Sequence, residues 1–260
     1  MLLTIDIGNT ETKLGLFAPG DELPTHRWRV TTEPRRTPDE YGAFITQLFG
    51  VAGISLRDVT AAAVASVVPH LDAIVEEACV HFLGVTPVFL KAHRQQLMEV
   101  RTDRPAEVGA DLVAVAIGAR ARYGAPLIVI SYGTATVFMA ISAGGAYEGV
   151  AIAPGINISI EALAGRTAKL PQIALEHPGH AIARTTIEAL QAGIVYGFVG
   201  QTEALVARFR AEMGCDAKVV ATGGLADVIA KHTKIIAAVD PHLSLIGLRL
   251  FHVREIATNR

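Results

Sequence analysis

DIGNTETK, Asp6 to Lys13, closes one apolar strand and opens another. Leu2 to Ile7 reads as the first strand and Thr10 to Phe17 as the second, with Gly8 and Asn9 in the turn between them. A glycine in a tight hairpin lets backbone amides come close to phosphate oxygens. Asn9 and Thr10 add side-chain donors, and Lys13 adds a positive charge. Asp6 stands where a carboxylate would hold Mg²⁺, or a metal-bound water, beside the phosphates. Asparagine and glycine are also ordinary hairpin residues. The octapeptide alone therefore fits both a phosphate turn and a plain one.

The pattern recurs. TIDIGNT, Thr4 to Thr10, aligns with VISYGTA, Val129 to Ala135, which places Gly8 on Gly133, Asn9 on Thr134 and Asp6 on Ser131. Leu127 to Ile130 is continuously apolar, and a strand from Ala135 to Ile141 follows the turn. A strand–glycine turn–strand unit used twice predicts a duplicated α/β domain. The boundary is expected near residue 118, giving domains 1–118 and 119–260, with the last helix packing back on the first domain. In the first half, strands are predicted at Arg27–Thr31, Ala61–Ala65 and Pro87–Leu90, and helices at Pro38–Leu48 and Leu71–Leu83. Asp111 to Arg122 reads as a connecting helix. Ile187 to Met213 reads as a long helix broken or bent near Gly193, Gly197 and Gly200, and Pro241 to Val253 as the final one. A third glycine turn, Thr222-Gly223-Gly224-Leu225, follows the apolar strand Lys218–Ala221. Such a turn lets a nucleotide lie against the backbone, and it serves equally as a simple strand-to-helix connection.

Composition narrows the function classes. Half of the 260 residues (51%) are hydrophobic, 18% are charged and the net charge is −2, with no lysine- or arginine-rich run, which disfavours a nucleic-acid binder. No apolar run approaches a membrane span, and the first residues lack a signal peptide's basic flank and cleavage site. Cys79 and Cys215 belong to no CxxC pair, so free thiols in a reducing cytoplasm are expected. The nine histidines, among them His26, His177 and His180, show no zinc-binding spacing.

Eight segments in order resemble the type III pantothenate kinase family of the ASKHA superfamily, the actin-like ATPase fold. They are DIGNTETKLGLF at the start, RPAEVGAD (104–111), YGTAT (132–136), APGINIS (153–159), ALAGRTAKLP (162–171), IVYGFVG (194–200), TGGLA (222–226) and DPHLSLIGL (240–248). The resemblance implies two ribonuclease-H-like domains with a cleft between them, a homodimer with a shared active site, and ATP-dependent phosphorylation of pantothenate, the first step of coenzyme A synthesis, or of a related small alcohol. By motif, Asp6 to Lys13 and Thr134 would cradle the ATP phosphates, with Mg²⁺ at Asp6. Gly109, Ala110 and Asp111 match the substrate loop, where the aspartate accepts the hydroxyl proton. Taken without the resemblance, Asp111 also reads as a helix N-terminal charge. Thr185 matches a threonine that reaches substrate across the dimer interface.

Departures from the family pattern cluster on the acceptor and cation side. Leu112 replaces an arginine. Ser131 replaces the aspartate at a monovalent-cation (K⁺ or NH₄⁺) position, and Val137 and Met139 stand for a threonine and an aspartate. Thr102 replaces a tyrosine, Arg184-Thr185 an Asn-Thr pair, and Ile246 a glutamate. A changed acceptor, a changed cation requirement or lost catalysis would each fit. Arg101, Arg104 or Arg184 would be the compensating cations. The competing function is a catalytically impaired paralogue, a nucleotide-binding regulatory or partner protein.

Overall fold

The computed structural model describes residues 1–258, which form two compact units. The first comprises Met1–Arg122 with the C-terminal segment from His242, and the second Tyr123–Pro241.

In the first unit, β1 (Leu2–Ile7) runs antiparallel to β2 (Glu11–Phe17), which pairs antiparallel with β3 (His26–Thr31). On its other edge β1 runs parallel to β4 (Ala61–Ser66), and β4 to β5 (Val88–Phe89). The sheet order is β3-β2-β1-β4-β5. β1 and β4 are almost wholly buried; β4 is nearly all apolar, and β1 buries Thr4 and Asp6 among its apolar residues. Helix α1 (Pro38–Val51) starts with a reciprocal cap: Thr37 Oγ1 accepts from Glu40 N (3.3 Å) and Glu40 Oε2 accepts from Thr37 N (2.7 Å). Its Tyr41, Ile45 and Phe49 fill the core with Ile5, Ile7 and Leu71. Helix α2 (Pro69–Ala78) runs into a wider π-type turn at Cys79–Leu83, so the helix expected over 71–83 is real but changes pitch in its last turn.

Two further helices complete this unit, α3 (Ala110–Tyr123) and the last helix, α7 (Leu243–Thr258). Their backbones touch. A Cβ on Gly118 would overlap the Leu243 carbonyl, and one on Gly247 would overlap the Ala114 carbonyl. Glycines facing each other let the two helices approach more closely than any larger side chain would.

The second unit repeats the plan. β6 (Leu127–Tyr132), β7 (Ala135–Ile141) and β8 (Tyr147–Pro154) form an antiparallel meander, and β9 (Lys218–Thr222) and β10 (Ala238–Val239) run parallel on the other side of β6. The order, β10-β9-β6-β7-β8, is that of the first sheet. Helices α4 (Ile156–Arg166), α5 (Thr186–Met213) and α6 (Ala226–Ala230) complete it. β8 and α4 have no counterpart among the sequence expectations, because GVAIAPGINIS carries neither a clean period of two nor an N-cap side chain. The long helix is unbroken through Gly193, Gly197 and Gly200, contrary to expectation. Burial of Ile194, Val195, Phe198 and Val199 outweighs a glycine cost of about 1 kcal/mol each.

Register shows how far the duplication extends. Asp6 lies opposite Lys13 on β2 and Ala65 on β4, while Ser131 lies opposite Val137 on β7 and Thr222 on β9. Past the turn the simple alignment slips. Three residues, Gly8 to Thr10, separate β1 from β2, but only Gly133 and Thr134 separate β6 from β7. Ile7 faces Thr12 and Tyr132 faces Thr136, so Ala135 corresponds to Glu11 and the second turn is one residue shorter than the first.

Candidate active site

In the first unit, the hairpin and the start of α3 supply the charged groups. Asp6 sits one residue from the end of β1 and is 4% exposed. Lys13 reaches across the strand pair and places Nζ 3.4 Å from Asp6 Oδ2. At the turn, Gly8 N donates to Glu11 O (3.1 Å), and a Cβ on Gly8 would stand 2.9 Å from that same oxygen. The turn therefore has no room for a larger residue at position 8.

Gly109, Ala110 and Asp111 lead into α3. Asp111 folds back on its own helix: Oδ1 accepts from Leu112 N at 2.8 Å and lies 2.5 Å from where a Gly109 Cβ would be. Gly109 is thus the residue that makes space for the carboxylate. Burial, and next the negative charge of Asp6, push Asp111 up to about 6; the Leu112 amide and Lys13 act in the other direction. Asp6, Lys13 and Asp111 therefore share one electrostatic site. A carboxylate close to neutral pH in its proton affinity, at a helix N-terminus, is suited to accept a proton at physiological pH.

The second unit gathers a different set. Gly133 and Thr134 form the shortened turn, with Gly133 N donating to Ala135 O at 3.0 Å. Gly223, with φ of +97°, lies against the Tyr132 backbone, and Gly224 follows it before α6. Gly155, at the head of α4, presses on the carbonyls of Gly133 and Thr134 so closely that no side chain fits. Gly155 lies within APGINIS, and its sequence signal is a glycine directly after a strand-ending proline. Thr185 caps α5, its hydroxyl accepting from Glu188 N at 3.3 Å.

Apart from Arg184, the departures are apolar or neutral. Ser131 is half-buried, Val137 and Met139 are buried, and Leu112 is half-buried beside Gly109. Ile246 is buried on α7. Arg101 and Arg104 pair with Glu99 (2.8 Å) and Glu107 (3.0 Å), and Arg184 is exposed.

Two five-stranded mixed sheets of one topology, each with a glycine hairpin at its central strand pair, define the actin-like ATPase (ASKHA) class. Solved structures agree on the fold. The ethanolamine utilization protein EutJ from Carboxydothermus hydrogenoformans superposes with a TM-score of 0.55 at 16% identity, over 96% of this chain and 89% of that one. The activator of 2-hydroxyisocaproyl-CoA dehydratase from Clostridium difficile, solved with bound ADPNP, gives 0.55 at 13% identity, over 99% and 97%. At these identities the likeness concerns fold alone.

The sequence is more specific. The model of the type III pantothenate kinase family matches residues 2–208. Type III pantothenate kinase from Myxococcus xanthus is 46% identical over 258 residues, 99% of this chain and 100% of the relative. That from Moorella thermoacetica is 45% identical over 98% of this chain and 100% of the relative. The chain belongs to the type III pantothenate kinase family.

Proposed function

We propose that the chain phosphorylates pantothenate with ATP, the first step of coenzyme A synthesis. The observation that carries this is Asp111, a carboxylate made more basic by burial and by Asp6 and given its space by Gly109. An alcohol is a poor nucleophile, and a positioned carboxylate takes its proton as the phosphoryl group arrives. Asp111 has that role. Gly109 and Ala110 line the acceptor loop with Leu112. In the first unit the turn Gly8–Thr10 and Lys13 bind phosphate; in the second, Gly133, Thr134, Gly223 and Gly224 offer backbone to a nucleotide.

The charge balance suits a divalent cation. Two carboxylates, Asp6 and Asp111, act on each other, and one ammonium, Lys13, stands between them and neutrality. Asp6 offers the hard oxygen that Mg²⁺ prefers. Mg²⁺ supplies positive charge against the phosphate oxygens. The Ser131 position does not fit a charged cation site: it has one neutral hydroxyl, with Val137 opposite it. Turnover therefore needs no added potassium or ammonium.

The active form is a two-fold homodimer, each acceptor site completed by Thr185 of the neighbour. In support, Ile182 (90% exposed) and Ile187 (53%) flank Thr185 with apolar surface. The protein works in the cytoplasm, where Cys79 and Cys215 stay reduced. Among the described residues, no helix is long and apolar enough to cross a membrane.

Leu112 favours a second reading, a nucleotide-binding regulatory paralogue with impaired catalysis. It offers no partner to a polar acceptor, and a lost charge-assisted hydrogen bond costs about 1.5–3 kcal/mol. Leu112→Arg separates the two readings. For a kinase, it lowers the KM for pantothenate with little change in kcat. For a regulatory paralogue, ATP binds and neither form turns over.

A further inference from the structure

Behind the first hairpin runs a short chain of hydroxyls that the duplication does not copy. Thr32, just past β3, is 6% exposed. Its Oγ1 donates to Gly8 O at 2.8 Å, and its amide donates to Thr10 O at 2.9 Å. Thr12 Oγ1, 1% exposed, lies 2.8 Å from Thr32 Oγ1. A hydroxyl has one proton. Thr32 spends its proton on Gly8, so Thr12 donates to Thr32, and the chain has one direction: Thr12 to Thr32 to the Gly8 carbonyl. Tyr41 of α1 stands next to Thr12, and the Arg36 guanidinium lies over the Tyr41 and Phe44 rings at 5.3 and 5.1 Å.

The consequence lies on the opposite side of the turn. The Gly8–Asn9 peptide is trans and planar, so its N–H points away from its carbonyl. Holding the Gly8 carbonyl toward Thr32 fixes the Asn9 N–H on the side away from Thr32. In the second unit the equivalent register position is Gly155, which touches the turn directly, and Thr136, the counterpart of Thr12, is fully buried with a hydroxyl that makes no hydrogen bond. The latch is specific to the hairpin that carries Asp6 and Lys13.

We infer that Thr32 is a positioning residue: its hydroxyl, oriented by Thr12, holds the Gly8–Asn9 peptide so that the Asn9 amide is presented to a nucleotide phosphate. This rests on the proposal that the hairpin binds ATP phosphates. Thr32→Val keeps the shape, removes the donor and retains the backbone bond to Thr10, while Thr32→Ser restores the donor. ATP affinity by calorimetry is expected to fall about tenfold in Thr32→Val, about as much as one good hydrogen bond to a charged group contributes. It is expected to recover in Thr32→Ser and to fall by a smaller factor in Thr12→Val. In turnover assays the KM for ATP should rise while the KM for pantothenate stays fixed, which a general loosening of the fold would not produce. Equal ATP affinity in wild type and Thr32→Val overturns the inference and leaves the phosphate proposal standing. No ATP binding by the wild type overturns both. Should Thr32→Val fail to fold, Thr12→Val and Thr32→Ser decide. Weaker binding in the first with unchanged binding in the second upholds the inference, and equal affinities overturn it.

Discussion

Asp111 carries a cost in stability that its proposed role explains. Its folded pKa, about 6, lies above the ordinary 3.8, so the folded state holds the proton more tightly than the unfolded chain does. That contribution is fully present below about pH 4 and is lost as pH rises through about 6. Asp111→Asn removes the loss. In metal-free protein, the variant should be more stable than wild type at pH 8 by on the order of 2 kcal/mol, and no more stable at pH 3.5. Denaturant titrations at the two pH values check this. The same substitution should lower the rate of phosphoryl transfer by about 10²–10⁴-fold. Gain in stability with loss of rate is the pattern expected of a group held at a site for chemistry. Gly109→Ala tests the space around it. The new methyl would lie 2.5 Å from Asp111 Oδ1 and must displace it, so kcat should fall sharply while the melting temperature changes little. A Gly109→Ala enzyme with normal kcat would show that the observed carboxylate position is not the working one.

Helices divide the glycines into two kinds with opposite predicted effects. On α5, a Cβ at Gly197 meets nothing within 4 Å, so Gly197→Ala should stabilise by about 0.5–1 kcal/mol through helix propensity alone. On α7, a Cβ at Gly247 overlaps the Ala114 carbonyl of α3, so Gly247→Ala must separate two backbones and should destabilise by about 2 kcal/mol or more. Thermal melts of the two variants should move in opposite directions. Sequence alone shows glycines in both helices and predicts a break in α5; it carries no sign of which ones face a neighbour. That difference marks the limit of legibility here. Strands such as Leu2–Ile7 and Leu127–Tyr132 were readable because short, mainly apolar runs that end at a glycine turn admit few alternatives. The repeat was readable up to Gly133, and the one-residue deletion after it was not, because register is fixed by strand pairing. Asp6, Lys13 and Asp111 could be picked out from their motifs. Thr12 and Thr32 could not, since a threonine in a strand has many uses and only the fold brings these two hydroxyls within 2.8 Å.

For the molecule as a whole, family membership and the Asp6–Lys13–Asp111 site point to one reaction, while Leu112 and Ser131 bear on how well it runs. Sedimentation at micromolar concentration should give a dimer, and Ile182→Asp with Ile187→Asp should give a monomer that still binds ATP but turns over slowly. Ser131→Asp should make turnover respond more strongly to potassium, because it puts a carboxylate where only a hydroxyl stands. In the proposed reaction this chain transfers a phosphoryl group from ATP to pantothenate with Asp111 as the proton acceptor. The most direct measurement is mass-spectrometric detection of phosphorylated pantothenate after incubation with ATP and Mg²⁺, run beside Asp111→Asn. Product from the wild type, reduced at least a hundredfold in the variant, is the predicted result. Equal product from both would contradict the role of Asp111, and no product from a wild type that binds ATP would contradict the kinase itself.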